Sequence, residues 1–159
     1  MSRRGGDRRR AREYALQVLF QLDLCPEDAA QALEGFWSTK KVSDPIRVYA
    51  GRLVQGTRRH LEAIDGLLES QSLHWRIIRM AVVDRNILRM ALYEMIMEQD
   101  TPAIVVIDEA IEVAKRFGND ESGPFVNGIL DAVRIRLEGG EIDLPPELAD
   151  RKQERTPAH

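Results

Sequence analysis

The sequence predicts an all-α fold of about six or seven helices, arranged as two small packed bundles. Three observations carry this expectation. Apolar residues recur at three- and four-residue spacing through most of the chain. Proline, glycine and capping residues stand where such stripes begin and end. The one β-branched run, Ile104-Val105-Val106-Ile107, belongs to a longer helical stripe and is not read as a strand.

The elements follow in order. After Asp7 as N-cap, residues 8–23 place Ala11, Ala15, Val18, Leu19 and Leu22 on one face. Pro26 opens a second helix, with Glu27 and Asp28 where a first turn favours acids, and Ala29, Ala32, Leu33, Phe36 and Trp37 inward. Ser43-Asp44-Pro45 starts a third, whose stripe runs from Val48 and Tyr49 through Leu53, Leu61, Ile64 and Leu68 to about Glu69. Ser70-Gln71-Ser72 is the most polar break and marks the boundary between subdomains. A short helical stretch over His74–Arg79 leads into a strong helix from about Asp84 to Glu98, with a broad face of Ile87, Leu88, Ala91, Leu92, Met95 and Ile96. Thr101-Pro102 opens the next, with Ile104, Ile107, Ile111, Ala114 and Phe117 inward and Gly118 as the stop. The last helix has Ser122 as cap, a stripe of Val126, Ile129, Leu130, Val133 and Leu137, and Gly139-Gly140 at its end. The domain plan is therefore a flexible basic arm over 1–7, helical subdomains over 8–70 and 71–140, and a disordered tail over 141–159.

Composition narrows the function classes. The chain has 159 residues, 43% hydrophobic and 31% charged, enough to bury a core without disulfides or metal. The longest apolar run, Ala103 to Ile107, is too short for a membrane span, and no secretory h-region follows the basic start. A lone cysteine, Cys25, fits a reducing cytoplasm. The net charge of −3 hides an asymmetry: residues 1–12 hold six arginines against Asp7, a net of +5, which leaves −8 on the remainder. A basic arm on an acidic body points to a polyanion for the arm and a different partner for the rest.

No catalytic constellation emerges. His60, His74 and His159 are far apart in sequence, and no Gly-rich phosphate loop is present. Asp108, Glu109 and Glu112 read as a solvated helix face, and Cys25 beside Pro26 has no histidine near it in sequence. The expectation is a non-enzyme with no cofactor and no metal. Arg8, Arg9, Arg10 and Arg12 carry the function instead, because the guanidinium fork makes bidentate, charge-assisted bonds to phosphate. Four arginines at a helix N-terminus repel one another and the helix dipole, an arrangement that a polyphosphate partner would relieve.

Four segments add a resemblance. RRRAREYALQ (8–17), VDRNILRMALYE (83–94), DEAIEVAKRFG (108–118) and FVNGILD (125–131) stand in the order and spacing of the NusB family of transcription antitermination factors, and the match spans roughly residues 8–138. The resemblance implies two three-helix-type subdomains. It also implies recognition of the boxA segment of ribosomal RNA leaders as single-stranded RNA, together with the small-subunit ribosomal protein NusE, in a complex that lets RNA polymerase pass terminators. Some members self-associate, so a homodimer is a further possible partner state. By family likeness Arg8, Arg9, Arg10 and Arg12 contact RNA, Phe20 and Phe125 match aromatic positions near its path, and Glu121 borders it. Arg85 is assigned to the RNA edge, and Asp84, Arg89, Tyr93 and Glu94 to the NusE-facing surface.

The residues themselves leave alternatives open. Phe20 and Phe125 fit buried helix positions as well as stacking platforms. Asn127 reads either as a base reader or, with Gly128, as a sign of tight packing. Arg89 and Glu94 could equally make salt bridges along one helix. Two other functions fit the chain: an interaction module whose arm meets an acidic protein, and an RNA-binding domain that assists an RNA-modifying enzyme in trans.

Overall fold

A computed structural model describes residues 3–72, 76–98 and 100–149. Every regular element among them is helical: α1 (Arg3–Leu24), α2 (Ala29–Trp37), α3 (Asp44–Arg59), α4 (Leu61–Gln71), a 3₁₀ turn (Ile77–Arg79), α5 (Val82–Met97), α6 (Ala103–Phe117) and α7 (Ser122–Glu138). The all-α expectation holds. None of these helices is long and apolar enough to cross a membrane.

The chain divides into two compact units at Arg59–His60. Sequence polarity places the division near residue 70, but α4 packs on α5 and α7 and so belongs to the second unit. In the first unit α1 lies along α3, and α2 packs against both. Ala11, Ala15, Leu16, Val18, Leu19, Leu22, Leu33, Ile46, Leu53 and Val54 are buried. Asp7 does not cap α1, because the helix already runs from Arg3 through Gly5 and Gly6. These two glycines are poor helix formers. Packing one turn later, where the Arg8 guanidinium lies 3.7 Å from the Tyr49 ring centroid, holds this end of α1 against α3. Nor does α2 start at Pro26. Asp28 is its N-cap, with a side chain that accepts from Ala30 N–H at 2.8 Å. In α3, Asp44 stands in the first turn and Arg58 and Arg59 in the last, matching the helix dipole.

The stripe expected to run unbroken to Glu69 is interrupted at His60, which leaves helical geometry (φ −108°, ψ 22°) and starts α4. The cause is tertiary. The buried His60 ring stacks on Tyr93 at 6.4 Å, and its Nδ1 lies 2.6 Å from Glu147 Oε1. In the second unit α5 is the central helix, packed on α4, α6 and α7, and it is buried on nearly every face. The β-branched run is helical, but α6 is rotated from the expected register. Val106, Ile107, Ala110, Val113 and Ala114 are buried, whereas Ile104 is 60% exposed.

The turn from α6 into α7 is tight. Gly118 keeps extended backbone, and a Cβ there would collide with the Ser122 side chain. Glu121 is the N-cap position of α7, not Ser122. Ser122 is buried, and its Oγ accepts from Asn119 N–H at 3.0 Å. The tail expected to be disordered is ordered as far as Ala149. Glu141 N–H donates to Arg136 C=O, Leu148 and Ala149 N–H close a helical turn onto Pro145 C=O, and Leu148 is fully buried. The rest of that segment, and the start of the expected 74–79 stretch at 74–75, lie outside the described residues.

Candidate RNA interface

In the first unit the arginine run wraps the start of α1, and successive side chains meet different surroundings. The Arg8 guanidinium lies over the Tyr49 ring at 3.7 Å, and Arg52 lies 5.7 Å from the same ring. These three residues, with Asp7, Asp44, Pro45 and Val48, line a groove of about 540 Å³. Arg9 and Arg10 are exposed. Arg10 Nη2–H donates to the Tyr14 hydroxyl at 3.0 Å, one helical turn on. Arg12 differs from the other three. It is only 4% exposed, so in this conformation it is part of the packing rather than an open phosphate ligand. Phe20 is half-buried, between the two alternatives left open by its position.

Behind Arg10 stands an aromatic cluster that sequence reasoning does not single out. Tyr14, Phe36 and Trp37 meet edge to face at 5.1 to 5.8 Å. Lys40 Nζ lies 3.7 Å over the Phe36 ring and Arg47 5.8 Å from the Trp37 ring. Part of this was legible, since Arg10–Tyr14 and Phe36–Lys40 are spaced i, i+4 and face each other on a helix or at its end. Arg8–Tyr49 and Arg47–Trp37 join different helices and leave no trace in spacing.

In the second unit Phe125, half-buried, lines a cleft of about 220 Å³ with Glu121, Asp84, Asn119, Arg79, Met80 and Ala81. Glu121 is exposed at its rim, held by the turn in which Asn119 Oδ1 accepts from Glu121 N–H at 2.8 Å. Asn127 is exposed and lines the adjoining hollow with Lys115, Asp120 and Pro124; the two hollows share Asn119. Arg85 is half-buried, and its Nη1–H reaches Ile78 C=O at 3.4 Å.

The partner-facing group expected on α5 is corrected by burial. Arg89, Tyr93 and Glu94 are 6%, 4% and 1% exposed, because α5 has neighbouring helices on most sides. Arg89 makes a bidentate pair with Asp65, Nε to Oδ1 at 2.7 Å and Nη2 to Oδ2 at 2.8 Å. Such side chains hold the bundle together and present no docking face. Asp84 is also largely buried, and it sits with Phe125 and Glu121 rather than with the other three. Its Oδ1 has no hydrogen-bond donor among the described residues. Those residues hold no group of three or more His, Cys, Asp or Glu side chains suited to a metal ion.

The family model described as the NusB family matches residues 9–134, most of the chain. The chain belongs to the NusB family. It is 46% identical over 136 residues to a transcription antitermination protein NusB of Myxococcus xanthus, covering 83% of this chain and 97% of that protein. The solved T. maritima NusB aligns with a TM-score of 0.75 at 39% identity, over 90% of this chain and 96% of that one. A NusB solved with NusE and double-stranded RNA aligns with a TM-score of 0.72 at 31% identity, over 84% of this chain and 97% of that one. The NusB match begins at the second arginine of the 8–10 run and ends in α7, so it takes in both units and every expected site residue except Arg8.

Proposed function

We propose that this chain is an RNA-binding transcription antitermination factor that recognises boxA-type single-stranded RNA of ribosomal RNA leaders together with NusE. It acts by assembling a complex that lets RNA polymerase pass terminators, not by catalysis. The observation that carries the reading is the exposed pair Arg9 and Arg10, with Arg8 beside them, at the start of α1 in a NusB-family chain. A relative of the same fold has been solved with NusE and RNA. On the first unit Arg8, Arg9 and Arg10 supply phosphate contacts and Phe20 stacks from α1; on the second, Phe125, Glu121, Asn127 and Arg85 are the RNA contacts. Arg12 positions α1 from within the first unit. Asp84 shapes the cleft of Phe125 and Glu121 from within the second unit, where its carboxylate is largely buried.

Sequence-specific readout favours unpaired bases, since the A-form major groove is too narrow for side chains. The RNA in the related complex is a duplex, so strandedness is part of the test. Fluorescence anisotropy with boxA RNA, a scrambled strand and a boxA duplex, each with and without NusE, separates the cases. Tighter binding of the single boxA strand, strengthened by NusE, is expected. Equal affinity for all three RNAs in both conditions would reduce the function to general polyanion binding.

A further inference from the structure

We infer that the first unit carries a second single-stranded RNA surface, in which Tyr14 and Phe36 stack bases and Arg10, Lys40 and Arg47 take the adjoining phosphates. It rests on the RNA-binding reading above and extends it, because it names where RNA flanking the boxA segment is held. The three rings of Tyr14, Phe36 and Trp37 form one edge-to-face cluster. Trp37 is 8% exposed and anchors the cluster, whereas Tyr14 and Phe36 are half-buried. Each ring carries its own cation: Arg10 at 5.7 Å on Tyr14, Lys40 at 3.7 Å on Phe36, and Arg47 at 5.8 Å on Trp37.

Aromatic rings with interleaved cations match unpaired RNA, since every base offers a π face and every linkage a phosphate. Among the described residues none of Arg10, Lys40 and Arg47 is ion-paired with a carboxylate, so their charge is available. The unit as a whole supports the polarity. Residues 1–59 hold twelve Lys and Arg against seven Asp and Glu, a net of +5. An acidic protein would use the cations but would leave the ring faces idle. In the free chain Lys40 lies over the Phe36 ring, and its Nζ–H donates to the Phe36 carbonyl at 3.3 Å. On binding, Lys40 swings to a phosphate and a base takes its place on the ring. The exchange is favourable because base–aromatic stacking exceeds an exposed cation–π contact.

The test compares boxA RNA with the same RNA lengthened by unpaired nucleotides at either end, using the full chain. The lengthened RNA is expected to bind wild type more tightly. Phe36→Ala, and separately Lys40→Gln with Arg47→Gln, should each remove that gain, roughly ten-fold, and leave affinity for the short RNA unchanged. The double glutamine variant keeps all three rings in place and guards against loss of the aromatic packing, which a thermal melt checks. Photo-cross-linking of thiouridine in the added nucleotides should mark Tyr14 or Phe36. If both variants bind long and short RNA as wild type does, the surface is not on the RNA path and the inference falls, while the boxA reading stands. Binding of an acidic peptide that Lys40→Gln/Arg47→Gln abolishes, with no gain from lengthening the RNA, would also overturn it. Failure of wild type to prefer boxA over a scrambled strand would instead strike at the reading on which it rests.

Discussion

In the first unit Arg9 and Arg10 reach solvent and Arg8 lies over the Tyr49 ring, whereas in the second Arg89, Glu94 and Glu98 are 6%, 1% and 1% exposed. The second unit is the more highly charged by count, with a net of −8 over residues 60–159. Its central helix nonetheless buries charges that the first unit would display. The difference follows from topology. α1 has α2 and α3 beside it, while α5 has helices on most sides, so Arg89 on α5 meets its counter-charge, Asp65 of α4, within the bundle. Net charge therefore says which unit attracts a polyanion, and burial says which charges can touch it.

Substitutions that cross this divide should separate stability from binding. The largest effect is expected at the buried pair. Arg89→Met leaves the Asp65 carboxylate without its partner and should cost about 3 kcal/mol in urea unfolding, with RNA affinity per folded molecule unchanged. Next comes the arginine run. Arg8→Ala, Arg9→Ala and Arg10→Ala together should weaken RNA binding roughly a hundred-fold at about 0.1 M salt and flatten the log–log salt slope by about 2, at about 0.7 for each phosphate no longer neutralised. Unchanged affinity in that triple variant would show that the contrast between the units has no bearing on RNA. Arg12→Ala should behave like the second unit's buried charges, lowering stability and leaving the salt slope as it was. Asp28→Ala removes the cap of α2 and should cost about 1 kcal/mol, seen as a lowered Tm. The smallest effect belongs to the half-buried Arg134 at the surface, whose pKa is raised by its hydrogen bond to Asp131 and by Glu138. Arg134→Gln should leave Tm within error, because a surface guanidinium gains little from such pairs.

Much of this was legible in the sequence because helices announce themselves locally. The stripe in α7, the proline and acid at the start of α3 and the arginine run each follow from spacing within one or two turns. The family segments made the fold and the RNA reading specific. The errors share one physical origin. The α3–α4 break turns on His60 meeting Tyr93 and Glu147, respectively 33 and 87 residues away in sequence. The register of α6, the order of residues 141–149 and the burial of Arg12 likewise depend on neighbours far along the chain.

By itself the sequence determined that the chain is all-helical, that its basic charge is gathered at the start of the first helix, and which family it resembles. Periodicity, composition and short motifs are read along one strand of residues, and these properties are local to it. Helix packing settles which arginines remain open to solvent, that Asp84 shares a cleft with Phe125 and Glu121, and that Lys40 and Arg47 meet an aromatic cluster. Exposure and the meeting of distant side chains are set by how helices pack, and helical spacing within one element carries no record of that.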